Sequence, residues 1–130
     1  MSVSIPNTKA HPDERHAGAQ KVYFACFTER GQASMEAIQR VVPEHKQWIA
    51  EQEAAGRIFV AGPFLTEDYS YAGSGLIVFR ADTAEQARLL AQLDPMHADG
   101  LRTFRIVPWQ INEGAVHIDL TLSSGAFDIG

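Results

Sequence analysis

A chain of 130 residues, 45% of them hydrophobic, has the length and composition of one soluble globular domain with a single core. Its 11 basic and 16 acidic side chains leave a formal net charge of −5, which excludes a nucleic-acid binder working through a basic stripe. No apolar run approaches the ~20 residues of a membrane span, residues 1–20 lack the basic start and apolar centre of a signal peptide, and Cys26, as the lone cysteine, allows no intrachain disulfide. The expectation is a cytoplasmic protein with neither membrane nor nucleic acid among its partners.

Residues 1–20 carry Pro6, Pro12 and Gly18 without sustained periodicity and are expected to form a flexible arm ahead of a single domain over residues 21–130. Lys21 to Thr28 (KVYFACFT) is rich in aromatic and β-branched residues and is predicted as a strand. Ser34 to Ala55 is helical in pattern, but Pro43 lacks an N–H and collides with the preceding turn. The expected solution is a short helix, then a main helix that begins at Pro43 and closes on Gly56 in a left-handed cap. Arg57 to Leu65 (RIFVAGPFL) is a second strand, ended by Gly62-Pro63; Thr66 to Gly75 is a polar loop bearing tyrosines; Leu76 to Arg80 is a third strand. Asp82 to Leu93 is an amphipathic helix capped by Asp82 or Thr83, with Ala87, Leu90 and Leu93 inward. Asp94-Pro95 opens a short turn that ends at Gly100, and Thr103 to Ile111 is a fourth strand. Asn112-Glu113-Gly114 reads as a hairpin turn into a strand over Ala115 to Leu122, in which Val116, Ile118, Leu120 and Leu122 share one face.

This order, β-α-β-β-α-β plus a C-terminal hairpin strand, is that of a ferredoxin-like α+β sandwich, with two helices on one face of an antiparallel sheet. The strands carry apolar residues at both parities (Val22, Tyr23, Phe24 and Phe27; Ile58, Phe59 and Val60), so the other face would be a large bare apolar patch. A second copy packed sheet to sheet in a two-fold dimer would cover it.

His45 is the residue whose type and place carry the most chemistry. Ile38, Val41 or Val42, Trp48 and Ile49 recur at helical spacing, and His45 falls in the same stripe, whereas Glu44, Lys46 and Gln47 point elsewhere. An imidazole aimed at an apolar sheet needs a polar partner, and such a pair beside a pocket is what proton-transfer chemistry uses; a satisfied core histidine is the competing reading. With a helix start at Pro43, the positive end of the helix would oppose imidazolium, and a carboxylate within about 4–6 Å would favour it. Gly62 and Pro63, beside Tyr69 and Tyr71, are either a substrate-binding wall under a mobile aromatic lid or a plain turn with surface tyrosines. His97 either lines the same pocket or is an exposed turn residue. Arg40 and Arg102 are expected to be solvated, although either could hold an anionic substrate; Trp48 and Trp109 are expected in core and dimer packing, and Cys26 as a small buried hydrophobe. No histidine pair has zinc-hydrolase spacing, and Gly73-Ser74-Gly75 precedes a strand instead of a helix, so neither metal nor cofactor is expected.

Four segments in order carry a family likeness. Val42-Pro43-Glu44-His45-Lys46, then Ala55-Gly56-Arg57 with Ala61-Gly62-Pro63, then Leu93 to Leu101 (LDPMHADGL), then Val107-Pro108-Trp109 resemble the YCII-related (YciI-like) family, over Lys21 to Asn112. The resemblance implies a fold similar to muconolactone isomerase and other dimeric α+β barrels, hence a homodimer or a higher oligomer. It also implies an active site that pairs a histidine with an aspartate, by position His45 and Asp94. One characterised relative removes chloride from a chlorinated hydroxyquinol, which is proton-transfer chemistry on an aromatic compound. This chain departs from the commonest pattern at Met96, where an aromatic is frequent, and it adds His97. Asp94 also suits an N-cap before Pro95, and capping and pairing can coexist because a carboxylate has two oxygens. Three functions fit. The first is a small cofactor-independent enzyme, an isomerase or elimination-type lyase, with His45 as base and acid and Asp94 orienting it. The second is a non-catalytic dimer that binds or senses a small molecule. The third is a cofactor-free oxygenase that would tolerate loss of the pair.

Overall fold

The computed structural model describes residues 22–129; the arm expected over residues 1–20 lies outside them. Residues 22–110 form one compact unit. Its elements are β1 (Val22–Glu29), α1 (Met35–Ala54), β2 (Ile58–Leu65), β3 (Tyr71–Arg80), α2 (Ala84–Leu93), α3 (Pro95–Ala98) and β4 (Thr103–Gln110). The α+β order β-α-β-β-α-β expected from the sequence is present, with one four-stranded antiparallel sheet in the order β2-β3-β1-β4. Among the described residues no helix is long and apolar enough to cross a membrane.

β1 takes a central place because it is apolar on both faces. Cys26 lies opposite Ile77 of β3 and Ile106 of β4. Strand alternation then sorts the residues. Phe24 and Cys26 join Ile58, Ile77 and Phe79 in a core closed by Trp48 of α1 and by Ala87 and Ala91 of α2. Tyr23 and Phe27 face the other way, where their rings meet Phe59 at 5.1 Å and Phe64 at 6.5 Å. Cys26 is fully buried, and that burial pushes its thiol up to about 12, as suits an inert core residue. Trp48 packs edge-on against Phe79 at 6.3 Å, and its buried indole N–H has no partner among the described residues. Such an orphan donor costs about 1–3 kcal/mol, which the packing of the ring must offset.

α1 corrects the reading of Pro43. The helix does not restart there; it runs unbroken from Met35 to Ala54 with Pro43 inside it. Ser34 caps it, its hydroxyl accepting the Ala37 N–H at 3.1 Å. The stripe Ile38, Val41, Trp48 and Gln52 is buried on both sides of Pro43, so two halves that bury the same face stay collinear despite the lost hydrogen bond. Pro43 and Gln39, whose carbonyl loses its donor, are both exposed, so the ring and the freed carbonyl lie toward solvent. The C-terminus behaves as expected: Gly56 has φ +78, its N–H bonds Glu53 O and the Arg57 N–H bonds Gln52 O, which is the Schellman arrangement.

Two boundaries and one orientation also differ from expectation. β3 begins at Tyr71, because Tyr71 pairs with Leu65 and Gly75 with Pro63; the glycines of this stretch hide its strand character, which β2 supplies. The β2–β3 turn shrinks to Thr66–Ser70, tied by Asp68 to the Thr66 hydroxyl and the Ser70 N–H. Those bonds to the ionised form hold the Asp68 carboxyl below its usual range. α2 is capped by Thr83, which accepts the Gln86 N–H at 3.1 Å. Its buried face is Ala87 and Ala91, with Leu90 partly buried; Leu93 is 62% exposed, because two residues past Ala91 the helix has turned it away from the sheet.

Residues 111–129 belong to a second unit. The extra C-terminal strand is present as β5 (Ile118–Thr121), and its hairpin partner is β6 (Ala126–Ile129). The turn is therefore not at Asn112-Glu113-Gly114 but at residues 122–125, where Gly125 supplies φ +70 and its N–H bonds Thr121 O.

Replacing Pro43 with alanine restores an N–H to the interior of α1 and removes the ring. Pro43→Ala is expected to raise unfolding stability by about 1–3 kcal/mol in urea titration; a loss of stability would contradict a continuous helix at this point.

Candidate active site

Within the 22–110 unit a cavity of about 360 Å³ opens between α1 and the β2–β3 side of the sheet. α1 gives it an apolar roof from Ile38, Val42 and Ile49, extended by Met35 and Met96. The opposing wall comes from Ala61, Gly62 and Pro63 of β2 and from Tyr71, Gly75 and Ile77 of β3. Gly75 of β3 faces Gly62-Pro63 of β2, and a Cβ on Gly75 would stand 2.9 Å from Gly62 O and 3.2 Å from Pro63 Cα. The β2 backbone leans over that point, and the register shifts between Pro63 and Leu65. Gly62 and Pro63 thus do line the cavity, as does Tyr71. Tyr69 does not: it sits at the turn with φ +68 and is 83% exposed.

The polar centre is His45 with Asp94. His45 is in the stripe of α1 that faces the sheet and is partly open to the cavity; its Nδ1 lies 2.8 Å from Asp94 Oδ1. Asp94 sits where α2 ends and α3 begins. Its backbone N–H bonds Ala91 O, its carbonyl accepts the N–H groups of His97 and Ala98 at 2.8 Å each, and Pro95 follows at the first helical position. The same Oδ1 accepts the Met96 N–H at 2.9 Å. One buried carboxylate therefore caps a helix and anchors an imidazole. Because a carboxylate only accepts, it fixes the proton on His45 Nδ1 and leaves Nε2 as the basic atom, with no partner among the described residues. His45 is the eleventh residue of the continuous α1, so the helix N-terminus that a start at Pro43 would have placed beside it is absent.

His97 is held differently. It is buried, does not line the cavity, and tilts against Phe104 at 4.6 Å between centroids. Its Nδ1–H donates to Ala91 O at 2.8 Å, and burial pushes its titration below the usual histidine range. The neutral ring then accepts the Thr28 hydroxyl proton at Nε2, 3.0 Å away. Thr28 in turn accepts from Arg102 Nε at 3.1 Å, and Arg102 Nη1 donates to Tyr71 Oη at 2.6 Å. Thr28, Tyr71 and Arg102 all line the cavity.

The structure thus brings together His45, Asp94, Gly62, Pro63 and Tyr71, and sets Tyr69 and His97 outside. Thr28 is a member the sequence reading passed over, although its parity with Phe24 and Cys26 points it to the helix side. Arg102, expected to be solvated, is half-buried at the cavity. Arg40 is exposed and does not line the cavity; Trp109 is 44% exposed. Among the described residues no three of His, Cys, Asp and Glu cluster as metal ligands would.

Fold and site together define a ferredoxin-like α+β protein with an imidazole–carboxylate pair lining a largely apolar cavity. The chain belongs to the YCII-related domain family, whose model matches residues 22–110. Among solved structures it is similar to 5-chloro-2-hydroxyhydroquinone dehydrochlorinase (TftG) from Burkholderia phenoliruptrix AC1100, in complex with 2,5-dihydroxybenzoquinone. That match has a TM-score of 0.55 and 18% identity, and covers 71% of this chain and 95% of the other. No curated protein matches the chain.

The depressed titration of His97 has a defined consequence for stability. Its folded-state value lies below the ordinary 6.5, so the unfolded chain binds the extra proton first as pH falls. The contribution is complete above about pH 6.5 and is lost as pH drops through the interval below it. Thermal unfolding between pH 7 and 5 should fall more steeply for the native protein than for His97→Asn, whose amide keeps the donor to Ala91; equal slopes would contradict a buried neutral His97.

Proposed function

We propose that the 22–110 unit is a cofactor-independent acid–base catalyst acting on a small cyclic or aromatic molecule, with His45 as the proton-transfer group and Asp94 as its orienting partner. The observation that carries this reading is the 2.8 Å His45–Asp94 contact, with Nε2 left unpartnered beside a cavity of single-ring size. In an elimination, Nε2 takes a proton from the substrate, the electron pair left behind closes a new double bond, and the leaving group departs with its own pair. In an isomerisation the same proton returns at another atom. Asp94 stabilises the imidazolium formed in between, as the orienting carboxylate of a triad does without the nucleophile. A dehydrochlorination of the kind that the similar structure is named for is one member of this class.

Chloride release from 5-chloro-2-hydroxyhydroquinone, and deuterium exchange into a panel of hydroxylated and carboxylated rings, test the reading. His45→Gln should abolish turnover. Asp94→Asn keeps an acceptor for His45 and Met96 but removes the charge, so its rate should fall on the order of 10²–10⁴-fold with the fold retained. Turnover that survives His45→Gln would defeat the reading, and ring binding without turnover by the native protein would favour the sensor alternative.

The same proposal includes a second copy of the chain. What supports it is the sheet face away from the helices, where Phe59, Phe64 and Trp109 are 39%, 41% and 44% exposed and Val60 is 52% exposed. That is an apolar surface of the kind that monomers rarely leave in water. Light scattering should give a dimer or a larger assembly, and Trp109→Glu should lower the mass to that of a monomer. A monomeric native protein would remove this part of the proposal.

A further inference from the structure

We propose that Arg102 makes this cavity selective for a ring bearing a carboxylate, held at the Arg102–Tyr71 end while His45 addresses the rest of the molecule. The inference rests on the cavity being a ligand site, as proposed above, and adds the charge of what enters.

Arg102 is a half-buried cation with no ion pair among the described residues. Its two protein bonds go to neutral oxygens, Thr28 Oγ1 and Tyr71 Oη. A guanidinium has five N–H donors, so three remain, including both on Nη2. The tyrosine ring flanks the group, 5.9 Å from the guanidinium carbon to the ring centroid.

The guanidinium is also aimed. Ala91 O fixes the His97 proton on Nδ1, so His97 Nε2 must accept, and it takes the Thr28 hydroxyl proton. Thr28 is then left to Arg102 as an acceptor. The direction of each bond follows from the one before, and the chain ends by holding Arg102 Nε in one place. A cation preorganised in this way loses little freedom when a planar, bidentate anion arrives.

The charge count at the cavity points the same way. Its lining holds Arg102 and Lys46, neither with a carboxylate partner among the described residues. The one acidic group is Asp94, already bonded to His45 and to the Met96 N–H. The remaining lining is largely apolar, and in such surroundings a charge-assisted pair outweighs its value in water. Arg102 is the residue before β4, while His45 and Asp94 lie on α1 and the α2–α3 corner, so the side chains that would hold the anion are not those of the proton-transfer pair.

Benzoate and its neutral isostere benzamide serve as probes, titrated by calorimetry and by NMR into the full chain and into Arg102→Gln, Arg102→Lys and His45→Gln. The native protein should bind benzoate about ten- to a hundredfold more tightly than benzamide, with the preference shrinking as salt is raised. Arg102→Gln should erase the preference. Arg102→Lys keeps the charge but not the fork, and should retain part of it. His45→Gln should keep the preference, which separates anion recognition from proton transfer: a failure of catalysis alone would show in turnover and not here. Equal binding of the two probes by the native protein, binding of neither, or a preference that survives Arg102→Gln would overturn the proposal.

Discussion

The structure turns on one buried carboxylate. Asp94 is 1% exposed and accepts from two donors that lie far apart in the chain, the imidazole of His45 and the N–H of Met96. The second bond starts α3 directly after α2 and turns Met96 inward, where it packs with Ile38 and Val41 of α1. The first bond ties α1 to the same corner. A lone buried carboxylate would be costly, and these bonds, with Pro95 preset for the first helical turn, are what make it tolerable. The group that positions the imidazole is thus also a structural cap, so the geometry of the pair is enforced by the fold and not by the pair alone.

Around that corner the cavity is shaped as much by missing side chains as by present ones. Gly75 has no room for a Cβ beneath Gly62 and Pro63, so at that point of the β2–β3 wall backbone lies against backbone, while the α1 roof is aliphatic. Polar groups enter only at defined places. His45 and Asp94 form one bonded set; Arg102, Thr28 and Tyr71 form another, backed by a neutral His97. In the second set the bonds from His97 through Thr28 to Arg102 Nε have assigned directions because a single backbone carbonyl, that of Ala91, fixes the first. Two cations and one already satisfied carboxylate give the space its electrostatic character.

Much of this was legible in residue patterns. The apolar β1, the sheet-facing stripe that includes His45, the Gly56 cap and the capping role of Asp94 all follow from local chemistry. The partnership of His45 with Asp94 did not: the residues are 49 apart, and only the family likeness joined them. Thr28 and Arg102 are 74 apart, and their meeting depends on the α2–α3 corner delivering Arg102 to the end of β1. Pro43 misled because its local cost is real but smaller than the gain from burying one stripe across both halves of α1. The C-terminal turn misled because Asn112-Glu113-Gly114 and Ser123-Ser124-Gly125 are both turn-like in composition, and pairing with β6 decided between them.

The central claim is that Asp94 holds His45 as the Nδ1–H tautomer and leaves Nε2 as a base facing bound ligand. Long-range ¹H–¹⁵N NMR of the imidazole nitrogens, recorded across a pH series and taken on the neutral ring, reads this directly. The account predicts a protonated-type shift at Nδ1, an unprotonated-type shift at Nε2, loss of that asymmetry in Asp94→Ala, and movement of the Nε2 signal when a ring ligand is added. A proton found on Nε2, or an Nε2 signal indifferent to every ligand that binds the protein, would contradict it.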